Sequence, residues 1–178
     1  MLPPRCAKLF EDETDLLLFP PLRAAWGKRG RPLEVRLSGF NARRVVFGAI
    51  NLETGRRLFL ARKRQRAEDF QAFLPVVRRH YRGRGVALLL DEDTSHTAHG
   101  SRKAAADLGI ELIWLPKRCP ELNGMDHLWG HGKDHLCANW QYPGIDEEVA
   151  RFIHYLEGLS NREALRQAGI LSEDFWLR

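Results

Sequence analysis

Val86-Ala87-Leu88-Leu89-Leu90 ends abruptly in Asp91-Glu92-Asp93, and this junction decides how the chain folds. Five apolar residues closed by breakers read as a buried strand of parallel type. An acid just past such a strand stands at the carboxyl edge, where open α/β sheets hold their ligands. Beyond a short alanine-rich helix over Ser101–Leu108, stopped by Gly109, a second apolar run follows, Ile110-Glu111-Leu112-Ile113-Trp114-Leu115. Then come Pro116 and Pro120-Glu121-Leu122-Asn123-Gly124-Met125-Asp126-His127-Leu128-Trp129, with a helix from about Leu122. Thirty-four residues separate Asp91 from Asp126. Two carboxylates delivered to one sheet rim suit a hard cation, which prefers oxygen ligands.

Upstream, Ala7-Lys8-Leu9-Phe10 is a short strand candidate running into Glu11-Asp12-Glu13-Thr14-Asp15. A separate apolar run, Leu16-Leu17-Leu18-Phe19, stops at Pro20-Pro21, which end regular pairing. Trp26-Gly27-Lys28-Arg29-Gly30-Arg31-Pro32 reads as a basic loop. Arg43–Ile50 and Leu58-Phe59-Leu60, joined by the polar turn Glu53-Thr54-Gly55, predict a β-hairpin. Phe70, Phe73, Leu74, Val77 and Tyr81 fall on one helical face, inside which Pro75 should kink or shorten the helix. After Pro143-Gly144, Ile145, Val149, Phe152, Ile153, Leu156 and Leu159 form an apolar helical stripe. Asn161 is the expected cap of a last short helix, and Phe175 and Trp176 of the Leu171–Arg178 tail are expected to dock on the core. The pattern is one mixed α/β domain, hairpin early and helices late.

Composition narrows the function. At 178 residues with 44% hydrophobic and 29% charged content, the chain has the make-up of a single globular domain. No stretch approaches the roughly 18 apolar residues of a membrane span, and the start, Met1-Leu2-Pro3-Pro4-Arg5-Cys6, lacks the apolar core of a secretory signal. Three widely spaced cysteines suggest reduced thiols and a cytoplasmic setting. The net charge of +5 conceals a division: residues 1–84 hold 19 Lys and Arg against 8 Asp and Glu, whereas residues 85–178 hold 9 against 15. Sixteen of the nineteen are arginine, whose fork matches phosphate oxygens. A basic half joined to an acid-bearing rim fits a polyanion handled with metal ions; the plain alternative is a solvated basic surface.

Three acids fall at expected element ends: Asp12 after the first strand, Asp91 after the middle strand, Asp126 early in a late helix. Three carboxylates suit Mg²⁺ or Mn²⁺, and two ions roughly 4 Å apart can serve phosphodiester cleavage when one carboxylate is shared. Asp91, on what reads as the middle strand and hence the most rigid platform, is the expected shared ligand.

Phe10-Glu11-Asp12-Glu13-Thr14, the Trp26…Gly30-Arg31-Pro32 loop, Val46-Phe47-Gly48-Ala49, Leu90-Asp91 with His96, and Leu115-Pro116…Pro120-Glu121-Leu122-Asn123…Asp126…Trp129…Lys133 together resemble the DDE transposases of the mariner-like superfamily, in its bacterial insertion-sequence branch (insertion-sequence 630 type). The resemblance covers about residues 7–140, and the spacing of the last two acids matches as well. It implies a ribonuclease H-like mixed sheet over residues 1–140, with residues 141–178 a helical extension packed on the same domain. It also implies metal-dependent DNA strand cleavage and strand transfer by Asp12, Asp91 and Asp126 with two Mg²⁺ or Mn²⁺ ions, a bacterial, nucleoid-associated setting, and DNA partners in transposon ends and target. Self-association is expected too.

The sequence departs from the family pattern at Glu92, where Asn is usual, at Gly124, where Pro is common, and in the shorter third acid Asp126. Only 11 residues precede Asp12, where helix-turn-helix modules usually stand, which implies a catalytic fragment or the second frame of a split element working with an upstream helix-turn-helix polypeptide. The alternative is a catalytically inactive DNA-binding remnant or regulator; a stand-alone ribonuclease H-like nuclease or resolvase would share the same site.

Arg62, Lys63, Arg64, Arg66 and Lys133 are candidate DNA-backbone contacts, and His96 stands close enough to Asp91 to reach the metal site or a phosphate. His127, His131 and His135, spaced by four along one helix near Cys119 and Cys137, invite a zinc reading, but no paired Cys-x-x-Cys supports it. Trp129 reads as core.

Overall fold

The computed structural model describes residues 6–32 and 34–177; the Met1–Arg5 start and Arg178 of the tail lie outside the described residues. Five strands form one sheet: β1 (Cys6–Leu17), β2 (Arg43–Asn51), β3 (Arg57–Arg62), β4 (Gly85–Leu90) and β5 (Ile110–Trp114), in the order β3-β2-β1-β4-β5. β1 pairs antiparallel with β2 and parallel with β4, and β5 continues the parallel side.

The helices are α1 (Ala67–His80), α2 (Thr94–Thr97), α3 (His99–Asp107), α4 (Gly124–Gly132), α5 (Ile145–Gly158) and α6 (Asn161–Gln167). α1 and α3 cover one face, burying Phe70, Phe73, Leu74 and Val77 against Leu9, Val45, Phe47, Leu88 and Leu90. α4, α5 and α6 cover the other, burying Met125, Trp129, Phe152 and Leu156 against Phe10, Val46 and Ile50. The result is three layers, the sheet between two helical layers. Among the described residues no helix is long and apolar enough to cross a membrane.

β1 is one twelve-residue strand, where the sequence suggested two short runs separated by acids. β2 pairs with it without a break from Leu9↔Asn51 to Leu17↔Arg43, so ladder hydrogen bonds carry the backbone through the charged stretch. Its alternation puts Phe10, Leu16 and Leu18 into the α4–α6 core and Ala7 and Leu9 into the α1 core. The central position belongs to β1, not to the strand ending at Asp91. Asp12 therefore stands within the middle strand, and Asp91 at the tip of its neighbour.

The hairpin, β4, β5, α3 and α5 form where the sequence places them. α1 runs through Pro75 to His80; Pro75 is on the solvent side, so the lost donor stays in water while four apolar anchors hold the helix. Ser160, not Asn161, caps α6, in a capping box with Glu163. Between β1 and β2 the described residues 19–32 and 34–42 form an exposed excursion, with Trp26 fully exposed. Its base is tied down by Leu18 N–H on the Ala42 carbonyl, Phe19 N–H on Asn41 Oδ1, and Arg23 on Asp134. In the tail, Phe175 meets Phe10 edge-on at 6.2 Å, and Trp176 Nε1 donates to the Leu122 carbonyl at 3.0 Å.

Candidate active site

Asp12, Asp91 and Asp126 line one cavity of about 260 Å³, together with Glu13, Arg118 and Asn123. The three acids thus come to one margin of the sheet from three separate elements. Asp12 comes from β1; Asp91 follows the last residue of β4; Asp126 sits in the first turn of α4, where a carboxylate complements the helix dipole.

Asn123 explains why the third acid arrives there. Its side-chain carbonyl accepts from Met125 N–H at 3.0 Å and caps α4, while its Nδ2 donates to the Glu11 carbonyl at 2.8 Å. One buried amide therefore ties the start of α4 to the backbone residue preceding Asp12. Gly124 follows for a steric reason: a Cβ there would lie 2.8 Å from the Ala168 carbonyl oxygen and 3.1 Å from the Phe10 ring. The place where the family commonly carries Pro is here filled by the close approach of the chain just after α6.

The electrostatics of Asp12 point to a cation. Burial first, then Glu13, and further Asp91 and Asp126 raise its carboxyl to about 8. Both other acids act on Asp12, which makes it their common neighbour. Three carboxylates in one recess, the most buried of them held toward its neutral form, are a donor set that a hard divalent ion would relieve.

The opposite face of β1 holds a second charged group that the sequence reading missed. Glu11 and Glu13 point to the α1–α3 layer and meet His96, which is 1% exposed. His96 Nε2 lies 2.9 Å from Glu13 Oε1 and 3.5 Å from Glu11 Oε2; its Nδ1 lies 3.0 Å from Asp91 Oδ1. Phe70 packs on the ring at 4.6 Å. Burial disfavours the imidazolium, but Glu11, Asp91 and Glu13 outweigh it and raise His96 to about 12. Both ring nitrogens are thus donors. Hydrogen bonding by His96 in turn holds Asp91 below the usual carboxylate range. Glu11 is fully buried with neither oxygen in a hydrogen bond; burial and then Glu13 push it well above that range. Glu11, Glu13 and His96 are also close enough together to form a three-ligand group.

The expected DNA-contact residues divide. Lys63, Arg64 and Arg66 are exposed and line a recess of about 390 Å³ with Arg43 and Gln65. Arg62 is half-buried and paired with Asp69 at 3.5 Å. Lys133 opens a π-helical turn, Lys133–Cys137, and lines a different cavity with Asp15 and Glu148. His96 is buried with both nitrogens engaged, which fits the metal-site option and leaves none for a DNA phosphate. The His131 and His135 rings meet at 4.1 Å, tilted by 47°, and His131 Nε2 bonds the Tyr155 hydroxyl at 2.9 Å.

Two further residues at the cavity escaped the sequence reading. Glu13 borders it from β1 beside Asp12, its carboxylate turned to His96 on the other face. Arg118 could not have been found from the sequence: it lines the cavity with φ 60°, a left-handed conformation uncommon outside glycine and enriched at functional sites.

The profile of the DDE superfamily endonuclease family matches residues 8–147. An "Insertion element IS630 uncharacterized 39 kDa protein" of Shigella sonnei is 25% identical over 156 residues, spanning 85% of this chain and 45% of that protein. The Mos1 transposase paired-end complex with left transposon end superposes with a TM-score of 0.72 at 18% identity, over 95% of this chain and 53% of that one. The Mos1 mariner paired end complex with Mn gives 0.70 at 18%, over 91% and 51%. The catalytic domain of Mos1 mariner transposase gives 0.63 at 15%, over 91% and 75%. At these identities the likeness to the solved structures is one of fold, ribonuclease H-like in its strand order. The chain spans about half the length of the curated relative it matches. With the family profile running from β1 into the start of α5, across all three acids, the chain belongs to the DDE superfamily endonucleases.

Proposed function

We propose that this chain is the catalytic domain of an insertion-sequence DNA transposase, cleaving DNA strands and transferring them to a target through Asp12, Asp91 and Asp126. The observation that carries this reading is the meeting of those three carboxylates in one cavity, in a chain of this endonuclease family. Asp12, Asp91 and Asp126 would hold Mg²⁺ or Mn²⁺, two ions in the family's arrangement, with Asp12 as their common neighbour. Such ions, when bound, activate an attacking oxygen and neutralise the leaving one.

The rest of the cluster acts by position. His96, fixed between Glu13 and Asp91, sets the orientation of Asp91 from behind the sheet. Asn123 fixes Asp126 relative to Asp12. Lys63, Arg64 and Arg66 contact the DNA backbone, with Arg62 steadied at their edge by Asp69 and Lys133 a further contact on the α4 side. The partners are transposon ends and target DNA, a second copy of the chain, and an upstream helix-turn-helix polypeptide that supplies end recognition. The setting is the bacterial nucleoid. Residues 141–178 complete the catalytic domain.

The test is nicking of end-bearing duplex with Mn²⁺. Wild type should nick, and Asp91→Asn should abolish nicking while melting as wild type does. Nicking that survives this change would remove Asp91 from the chemistry. A folded wild-type chain that binds no Mn²⁺ at millimolar concentration by calorimetry would mark an inactive remnant. Preference for an RNA–DNA hybrid or a junction would redirect the reading to a nuclease or resolvase.

A further inference from the structure

At the end of β1 remote from the acids lies a larger cavity, about 500 Å³, between two turns. One turn is Asn51–Arg56, closed by Asn51 Oδ1 accepting from Glu53 and Thr54 N–H at 2.9 and 2.8 Å. The other is Tyr81–Arg84, where the Arg78 guanidinium bonds the carbonyls of Tyr81 and Arg84 from behind. Arg56, Arg82 and Arg84 line the space against a single carboxylate, Glu53.

Arg56, Arg82 and Arg84 form no ion pair among the described residues, and all three line one cavity. The Tyr81 hydroxyl is buried at the wall without a well-formed hydrogen bond, though Asn51 stands beside it. The positive field reaches inward: burial first, then Arg56, hold His80 below its ordinary range. Three unspent guanidinium groups on two pinned turns, with Thr54 and Tyr81 hydroxyls at hand, make a receptor for a tetrahedral oxyanion.

We propose that this cavity binds a backbone phosphate of duplex DNA, at a site separate from the cleavage centre. The inference rests on the DNA-handling reading of the chain but on none of its three acids. Six residues of extended strand part Cys6 from Asp12, roughly 20 Å. The phosphate held here is therefore not the scissile one, but lies about six nucleotides along the same strand or on a second duplex.

Anisotropy of a labelled duplex in EDTA, over a salt series, tests the site without cleavage. The R56A/R82A/R84A variant should bind about tenfold more weakly at low salt. Its log K against log salt slope should shrink by about one, the share of the one phosphate that the variant no longer neutralises. Should that variant melt early, Arg82→Ala alone, on the exposed turn, should reduce the slope by about one. A folded variant with unchanged affinity and slope overturns the proposal, as does a wild-type chain that binds no duplex. Displacement by polyglutamate, with duplex binding unaltered by the substitutions, would assign the cavity to an acidic polypeptide and equally overturn it. Binding is read here in EDTA and nicking separately with Mn²⁺, so failure of the cleavage reading and failure of this site give different results.

Discussion

Asp12 and His96 are opposite solutions to burying charge on one strand. An unfolded aspartate releases its proton near 3.8, whereas Asp12 keeps its proton to about 8. Across that window the metal-free folded state binds more protons than the unfolded one, so Asp12 makes stability fall as pH rises from about 4 to about 8. A divalent ion needs the carboxylate, so Mn²⁺ affinity should climb with pH up to about 8, with proton release on binding. Calorimetry in two buffers of different ionisation heat measures both; an affinity flat between about pH 6 and 8 would contradict the placement of Asp12. His96 runs to the alkaline side. Its pKa rises from 6.5 to about 12 on folding, so its contribution is complete below 6.5 and lost as pH climbs toward 12. His96→Ala leaves Glu13 facing Glu11 and Asp91 without a counter-charge, and should cost about 3–5 kcal/mol in urea melts at neutral pH. A cost below about 1 kcal/mol would mean the carboxyl groups do not depend on it. Asp91 and Asp126 stand at element ends, which need only local pattern to read; Asp12 stands inside β1, whose extent the sequence hid. Nor did the sequence show the ring between Glu13 and Asp91, since Glu13 and His96 lie 83 positions apart and no periodicity joins them.

Among the elements, α4 matters most to the site, and it is positioned by what β2 lacks. Gly48 pairs directly opposite Asp12, and a Cβ there would stand 2.5 and 2.6 Å from Trp129 ring carbons and 2.8 Å from Met125 Cε. Gly48→Ala should force α4 outward, costing about 1–3 kcal/mol, and should reduce Mn²⁺-dependent nicking more than duplex binding. Gly130→Ala, in the same helix but facing open space, is the control and should raise the melting temperature, by up to about 1 kcal/mol in stability. Equal nicking in the Gly48 variant and wild type would show that α4 placement is not limiting. The strands and long helices were legible because their apolar periods are strong. The extent of β1 was not: the charged run Glu11–Asp15 interrupts its apolar pattern, and only pairing along the length of β2 keeps it a strand. Nor was the rank of β4 in the sheet, because strand order is settled by partners and not by position along the chain.

At the scale of the whole molecule, the helices after residue 140 contribute to the core. Phe152 stacks on Trp129 at 5.9 Å, and Leu156, Ala164 and Ala168 share one apolar cluster with Phe10 and Met125. Ending the chain after residue 140 should therefore abolish cooperative melting. A shortened chain that melted sharply and still nicked DNA would reduce α5 and α6 to an appendage. The family profile stops at residue 147, but the apolar cluster does not. The excursion between β1 and β2 has the reverse character, for its outermost described residues are exposed and join neither apolar layer. A protease that cuts after arginine or lysine should find Lys28 and Arg29 first. Severed there, the polypeptide should remain a single particle on gel filtration, its short first fragment gripped by two neighbouring strands and separable only under denaturant. Covalent continuity at that place is thus expendable, and the two pieces, made apart, should find each other and reconstitute the protein.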